Sequence, residues 1–185
     1  MKKSRGGVYF ILISLIATTV FAVSSCDLKS RLETHEEEQI REFLRLNNIT
    51  VDPLESGLYY IELMEGDGEY PVEGDTLGIF YTARFLTGVL FDGYTHQQHD
   101  EPLKIIFGSS QFVDGFTEGL SLMKEGGEAE LLLPSKLAFG PYGHGMIPGY
   151  TPIFYTVVLE EVIPGPNRDN GDNGDNGYNG DNGDD

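Results

Sequence analysis

The sequence predicts an antiparallel α+β domain, and three observations support this fold class. Apolar and polar residues alternate with a period of two over much of residues 57–163, as in strands that bury one face. Glycine-containing turn signals separate the alternating segments, and only one segment among them, 113–123, has helical spacing. Because a sheet must bury one face, this lone helix is its predicted cover.

The strand candidates follow one another along the domain with turns between them. They are 58–64, 77–85, 103–107, 128–133 and 153–159. Asp114 stands at the start of the helical segment, where a short acidic side chain is expected to cap the first free backbone N–H groups. The globular domain is therefore predicted to span residues 57–163.

Residues 1–25 have the pattern of a bacterial signal peptide. Three basic residues within the first five precede an uncharged run at 8–23, which is shorter than the roughly 20 residues of a membrane-spanning helix. Val-Ser-Ser-Cys follows at 23–26 and resembles a lipobox, in which a lipid is attached to the thiol of Cys26 and cleavage makes this cysteine the first mature residue. An uncleaved anchor helix and a plain secretory signal are the alternatives.

The charge balance excludes one class of partner. The chain has 30 acidic and 12 basic residues, a formal net charge of -18. No acidic residue precedes Cys26, so the mature chain is more acidic still, and we expect it to repel phosphate backbones and to bind no nucleic acid. Because Cys26 is the single cysteine, neither an intramolecular disulfide nor a cysteine metal site can form.

Residues 26–56 form an acidic stalk with one predicted helix at 34–47. Thr34 as N-cap and Glu37 three positions later have the spacing of a capping box. The apolar stripe of this helix consists of Ile40, Phe43 and Leu44. Two interpretations stay open: the stripe packs on the domain or the helix simply lifts the domain from the membrane, or residues 34–47 form a homodimer.

Two polar segments contain residue types that can bind metal ions, but the spacing of these residues does not match a known kind of metal site. Residues 164–185 are Asn-Gly-Asp repeats that cannot bury apolar area, so we expect a disordered, solvating tail. These repeats lack the twelve-residue loop with a terminal Glu that calcium sites use. His96 and His99 lack a defined third ligand, so we interpret them as part of a solvated loop and expect no metal.

Several motifs follow one another in the domain. They are Tyr-Thr-Ala-Arg-Phe at 81–85, Gly-Val-Leu-Phe-Asp at 88–92, Pro-Leu-Lys-Ile-Ile-Phe-Gly at 102–108, Phe-Val-Asp-Gly-Phe-Thr-Glu-Gly-Leu at 112–120, Leu-Ala-Phe-Gly at 137–140 and Ile-Pro at 147–148. Their order and gaps are more specific than any single motif. Residues 57–163 resemble the FKBP family of peptidyl-prolyl cis-trans isomerases, and 112–120 resembles its V-I-x-G-W-x-x-G helix. With the lipobox and stalk, the chain resembles lipoprotein isomerases of Bacteroides-like bacteria.

The resemblance implies a twisted antiparallel sheet wrapped around one short α-helix, with a ligand pocket between them. The catalytic residues it implies are Tyr81, Phe91, Asp92, Val113, Phe116 and Phe139. The substrate-binding residues it implies are Leu103, Phe112, His144, Ile147 and Tyr155. Phe116 would be the pocket floor, the Val113 N–H would hold a substrate carbonyl, and Asp92 would accept a hydrogen bond from Tyr81 at the rim. Taken singly, each aromatic residue is better explained as ordinary core, since most buried aromatic residues only pack.

Three positions depart from the family pattern. Phe116 replaces the usual Trp, Phe139 replaces a Tyr whose hydroxyl reaches a substrate carbonyl, and Leu103 replaces an aromatic residue. The implied function is a lipid-anchored isomerase without cofactor that assists the folding of exported, proline-containing polypeptides at the cell envelope. The alternative is a chaperone or scaffold module that binds proline segments with weak or no turnover.

Overall fold

The computed structural model describes residues 29–109, 111–166 and 168. The predicted signal peptide, Cys26 and residues 169–185 of the tail lie outside them. The helices are α1 at 29–46 and α2 at Asp114–Ser121, with a 3-10 turn at Ser135–Leu137. The strands are β1 Tyr59–Met64, β2 Thr76–Phe85, β3 Leu90–Tyr94, β4 Leu103–Ile106, β5 Gly127–Leu133 and β6 Ile153–Ile163. Within the described residues, no helix is long and apolar enough to cross a membrane.

All strand pairs in the sheet are antiparallel, which confirms the predicted fold class. The order is β1-β5-β6-β2-β3, with β4 also paired to β2. The two longest strands, β2 and β6, lie beside each other in the sheet. Strand β4 pairs with the first half of β2, from Thr76 to Ile79, and β3 pairs with the second half, from Tyr81 to Arg84.

Helix α2 packs directly on one face of the sheet, because glycine occupies the closest points of approach. A Cβ built on Gly119 would lie 2.3 Å from Cδ1 of Leu131, and one on Gly115 would lie 2.7 Å from Cγ of Leu133. Both distances are too short for any real side chain, so the two glycines of the 112–120 motif set the separation of helix and sheet. The helix thereby buries Phe116 and Leu120 completely.

The prediction that Asp114 caps α2 was wrong by one position. The N-cap is Val113, whose backbone is extended (φ -68°, ψ 154°), and no side chain makes a capping hydrogen bond there. Asp114 is the first helical residue instead, where its negative charge complements the positive end of the helix dipole. The helix also ends at Ser121, two residues before the predicted end.

The capping box predicted at Thr34 was also wrong, since α1 is already helical at residue 29. The Thr34 hydroxyl donates to the carbonyl of Ser30, 2.9 Å away, instead of capping a free N–H group. Thr side chains inside helices commonly bond back to the residue four positions earlier. A Ser/Thr-x-x-Glu spacing therefore did not distinguish a helix start from a helix interior here.

The apolar stripe of α1 packs against the face of the sheet opposite α2. Ile40 is buried with Leu132 and Phe154, and the rings of Phe43 and Phe154 have centroids 5.0 Å apart. The stripe is therefore used within the chain, as the first of the two interpretations has it. Burial of Ile40 and partial burial of Phe43 stabilise this contact by removing apolar area from water.

A buried carboxylate fixes α1 to the domain at a second point. Glu36 accepts hydrogen bonds from the backbone N–H of Ser135 and from its hydroxyl, the latter at 2.7 Å. Both residues are buried. Ser135 begins the 3-10 turn that leads to Phe139, so this contact connects the helix to the segment that carries part of the candidate site.

We predict that Glu36→Ala lowers the free energy of unfolding by about 1–3 kcal/mol, because the buried Ser135 N–H and hydroxyl lose their acceptor. Chemical denaturation monitored by far-UV circular dichroism measures this change. Glu37→Ala is the matched control, since Glu37 is exposed on the same helix turn, and it should shift stability by less than about 0.5 kcal/mol. Equal effects of the two substitutions would contradict the docking role of Glu36.

Candidate active site

A cavity of about 710 Å³ opens between β2, β3, β4, the start of α2 and the loop that follows Phe139. Its lining residues are Tyr81, Phe91, Asp92, Leu103, Lys104, Ile105, Gln111, Phe112, Val113, Phe139, His144, Gly145, Met146, Ile147 and Tyr155. Every catalytic and substrate-binding residue expected from the sequence is among them except Phe116. Residues that are up to 74 positions apart in the chain therefore meet around one apolar cavity with a few polar groups.

Phe116 lies beneath the cavity and is fully buried. The Phe112 ring covers it, with centroids 4.6 Å apart and planes inclined by 24°. The rings of Tyr81 and Tyr155 approach its sides at 5.7 and 4.8 Å. Where the family motif has Val and Trp, this chain thus has two stacked phenyl rings, which keep an aromatic layer under the cavity despite the smaller ring at 116.

Tyr81 and Asp92 form the polar part of the cavity wall. The Tyr81 hydroxyl donates to Oδ2 of Asp92 at 3.0 Å, and the Gly93 N–H donates to Oδ1 at 2.8 Å. Burial raises the pKa of the Tyr81 hydroxyl well above its usual value, and the hydrogen bond to Asp92 raises it further. The hydrogen bonds from the Tyr81 hydroxyl and the Gly93 N–H hold the Asp92 carboxylate in one orientation. The hydrogen bond expected between these side chains is present.

A β-bulge in β3 explains how both Phe91 and Asp92 reach the same cavity. Successive side chains of a regular strand point to opposite faces. In the pairing of β2 with β3, Ala83 faces Asp92 but Arg84 faces Leu90, so Phe91 is the extra residue. An extra residue bends the strand and redirects its side chains. The bulge thus brings an apolar ring and a carboxylate to one wall.

The start of α2 faces the cavity at Val113. The Val113 carbonyl accepts hydrogen bonds from the N–H groups of Phe116 at 3.0 Å and Thr117 at 3.2 Å, which fixes the N-cap. The positive end of the helix dipole is therefore directed at the cavity wall, where a carbonyl oxygen of a bound ligand is favoured.

A tight hairpin closes the cavity on the opposite side. His144 and Ile147 exchange two backbone hydrogen bonds of 2.9 Å, so Gly145 and Met146 form the tip. The Phe139 ring stacks on His144 at 6.0 Å between centroids. Gly143 has a φ of +69°, and a Cβ there would lie 2.0 Å from the Ile147 carbonyl oxygen, so only glycine fits.

Five lining residues were not expected from the sequence. They are Lys104, Ile105, Gln111, Gly145 and Met146. Ile105 follows Leu103 by two positions in a strand, so period-two alternation alone was a sufficient signal for it. No sequence pattern indicated that Met146 lines the cavity, because its position depends on the 144–147 hairpin.

The two loop histidines do not join the cavity. The ring of His96 stacks on Phe80 at 3.5 Å, and that of His99 stacks on Tyr94 at 3.7 Å. Both side chains are exposed, and His96 lies 3.9 Å from Glu160. In the part of the chain that the structure describes, no group of three or more His, Cys, Asp or Glu side chains is arranged to hold a metal ion.

Sequence comparison assigns most of the domain to a known family. A family model for FKBP-type peptidyl-prolyl cis-trans isomerase matches residues 68–160. The chain is 35% identical over 107 residues to the FK506-binding protein of Neisseria meningitidis serogroup B. The aligned region covers 57% of this chain and 96% of that protein. The chain is 36% identical over 115 residues to the FKBP-type peptidyl-prolyl cis-trans isomerase FkpA of Escherichia coli K12, covering 62% of this chain and 41% of that protein.

Solved structures agree with the sequence comparison. The crystal structure of FkpA from Escherichia coli has a TM-score of 0.63 and 25% identity, covering 89% of this chain and 76% of that one. A peptidyl-prolyl cis-trans isomerase from Pseudomonas syringae pv. tomato has a TM-score of 0.60 and 25% identity, covering 73% and 96%. The expected sheet around a short helix is confirmed, and the chain belongs to the FKBP-type peptidyl-prolyl cis-trans isomerase family.

Proposed function

We propose that this isomerase acts on proline-containing segments of exported polypeptides at the cell envelope, where a lipid on Cys26 tethers it. Family membership supports the reaction, and the signal-peptide pattern of 1–25 with the lipobox-like 23–26 supports the location. The acidic mature chain fits a polypeptide substrate better than a nucleic acid.

The reaction asks little of the protein in chemical terms. Rotation about an X-Pro bond is slow because it breaks amide resonance, with a barrier of about 18–20 kcal/mol. No bond to another atom forms, so neither a nucleophile nor a cofactor is required. The twisted amide has lost its dipolar resonance form, so a dry apolar cavity destabilises it less than the planar ground state.

The lining residues divide into three roles under this proposal. Phe91, Leu103, Phe112, Ile147 and Tyr155 hold the proline ring, over the layer formed by Phe116. The Val113 N–H at the start of α2 donates to a substrate carbonyl, and His144 and Phe139 border the chain beside the proline. The Tyr81–Asp92 pair places a fixed polar group at the rim, which shapes the cavity and moves no proton.

One observation carries the proposal: an apolar cavity whose wall contains an oriented, hydrogen-bonded Tyr81–Asp92 pair. Ordinary core packing does not explain this pair, because it places a carboxylate beside apolar rings at the edge of an open cavity. The Tyr81 hydroxyl belongs to a buried residue and needs an acceptor, which the exposed Asp92 carboxylate supplies.

A second candidate function rests on Phe139. This ring lines the cavity without the hydroxyl that its family counterpart directs at a substrate carbonyl. One net hydrogen bond is worth about 0.5–1.5 kcal/mol, so its loss lowers turnover several-fold without preventing binding. A module that grips proline segments with little turnover is therefore the alternative.

We predict that the purified chain accelerates isomerisation of a short X-Pro peptide, measured by protease-coupled absorbance. Asp92→Ala should lower kcat/KM about tenfold, because Tyr81 loses its acceptor and the rim loses its orientation. Phe139→Tyr should leave kcat/KM unchanged or raise it by up to about tenfold, because it restores a donor.

Asp100→Ala controls for loss of charge, since Asp100 is an exposed carboxylate in the loop that follows β3. It should change kcat/KM by less than about twofold. A folded wild-type chain that binds the peptide but does not accelerate isomerisation would favour the second candidate function instead.

For the anchor, we predict that a clickable fatty acid fed to the expressing bacterium labels the wild-type chain and not Cys26→Ser. The wild-type chain should fractionate with membranes, because the thiol of Cys26 is the attachment point in a lipobox. An unlabelled wild-type chain in the soluble fraction would indicate a plain secretory signal. If the wild-type chain and Cys26→Ser both fractionate with membranes and neither carries the fatty-acid label, an uncleaved anchor helix is indicated.

A further inference from the structure

A second apolar groove lies beside the active-site cavity. It has a volume of about 640 Å³ and runs between helix α1 and the segment 146–152. Its apolar walls include Leu32, Phe43, Leu46, Phe85 and Met146. The Leu46 side chain is 63% exposed and that of Met146 is 76% exposed, so these two walls of the groove are accessible to a ligand.

The groove is continuous with the candidate active site at two points. Met146, at the tip of the 144–147 hairpin, lines both the groove and the cavity. On the other side, Phe85 lines the groove and Phe91 lines the cavity, and their ring centroids are only 4.8 Å apart. An extended chain that leaves the cavity therefore meets apolar surface without interruption.

The polar side chains that α1 contributes to the groove's edge have partners within the helix. Glu42 accepts two hydrogen bonds from Arg45, at 2.9 and 2.7 Å, and Gln39 lies 3.1 Å from a ring nitrogen of His35. The α1 wall of the groove therefore favours apolar side chains, and Thr87, Tyr150 and Thr151 are the polar residues of the facing wall. Met146 is suited to varied partners, because its unbranched side chain adapts to different shapes.

We propose that this groove binds an apolar side chain of the same unfolded polypeptide whose proline occupies the cavity. The inference rests on the proposed function and names the substrate class: extended segments with a large apolar residue a few positions from the proline. Unfolded chains expose such residues, whereas folded proteins bury them. Binding energy gained away from the reacting amide can raise kcat/KM where the cavity itself lacks a hydrogen bond, as at Phe139.

The test compares a short X-Pro tetrapeptide with longer peptides that carry either Leu or Ser a few positions from the proline. One pair of longer peptides places this residue before the proline, and a second pair places it after the proline. We expect the wild-type chain to prefer the Leu peptide about fivefold in kcat/KM and in affinity by fluorescence anisotropy. Leu46→Gln should abolish this preference and leave the tetrapeptide unchanged. Leu63→Gln, at a 50% exposed leucine on β1 outside the groove, should retain the preference.

The outcomes separate this inference from the isomerase proposal. Inactivity on the tetrapeptide would contradict the proposed function. Fluorescence anisotropy would then still show whether the chain binds the Leu peptide more tightly than the Ser peptide, which tests the groove independently of turnover. A preference that survives Leu46→Gln, or no preference in the wild-type chain, overturns the inference. If sedimentation shows a dimer that Leu46→Gln converts to monomer without altering peptide preference, a second copy occupies the groove and the inference is also wrong.

Discussion

The close packing of α2 on β5 is the constraint on which the site depends. Gly119 lies so near Leu131 that a single methyl group would separate the helix from the sheet. At this separation Phe116 is fully buried, and Phe112 stacks on it at the base of the cavity. A helix held farther from the sheet would leave a gap under the Phe112 and Phe116 rings. A gap in a core removes dispersion contacts and lets the side chains around it adopt several positions.

The polar rim depends on a different physical requirement, which is that a buried hydroxyl needs an acceptor. Tyr81 is 9% exposed and donates to Asp92, which a β-bulge at Phe91 turns toward the cavity. Without Asp92 the Tyr81 hydroxyl would lose its acceptor, and without Tyr81 the exposed Asp92 carboxylate would keep only the hydrogen bond from the Gly93 N–H. An apolar cavity with one oriented polar pair suits a reaction that needs desolvation and no covalent chemistry.

Helix α1 extends the surface of the domain on the side of the hairpin. Ile40 is buried against Phe154, while Glu36 binds the 3-10 turn at Ser135. The neighbouring edge of the helix stays open at Leu46, which lines a groove together with Met146. One helix thus both stabilises the sheet from its second face and supplies a wall next to the cavity.

The sequence by itself determined five of the six strands and the short helix, because period-two alternation and helical spacing are local signals, but it did not predict β3. The resemblance of the ordered motifs to the family supplied ten of the fifteen residues that line the cavity. The local signals misplaced the caps at Thr34 and Asp114, since a capping residue and a helix-interior residue share the same spacing. Only the tertiary structure decided that Phe112 covers Phe116 and that Glu36 binds Ser135. The last two residues are 99 positions apart, and such contacts arise from packing that no local pattern encodes.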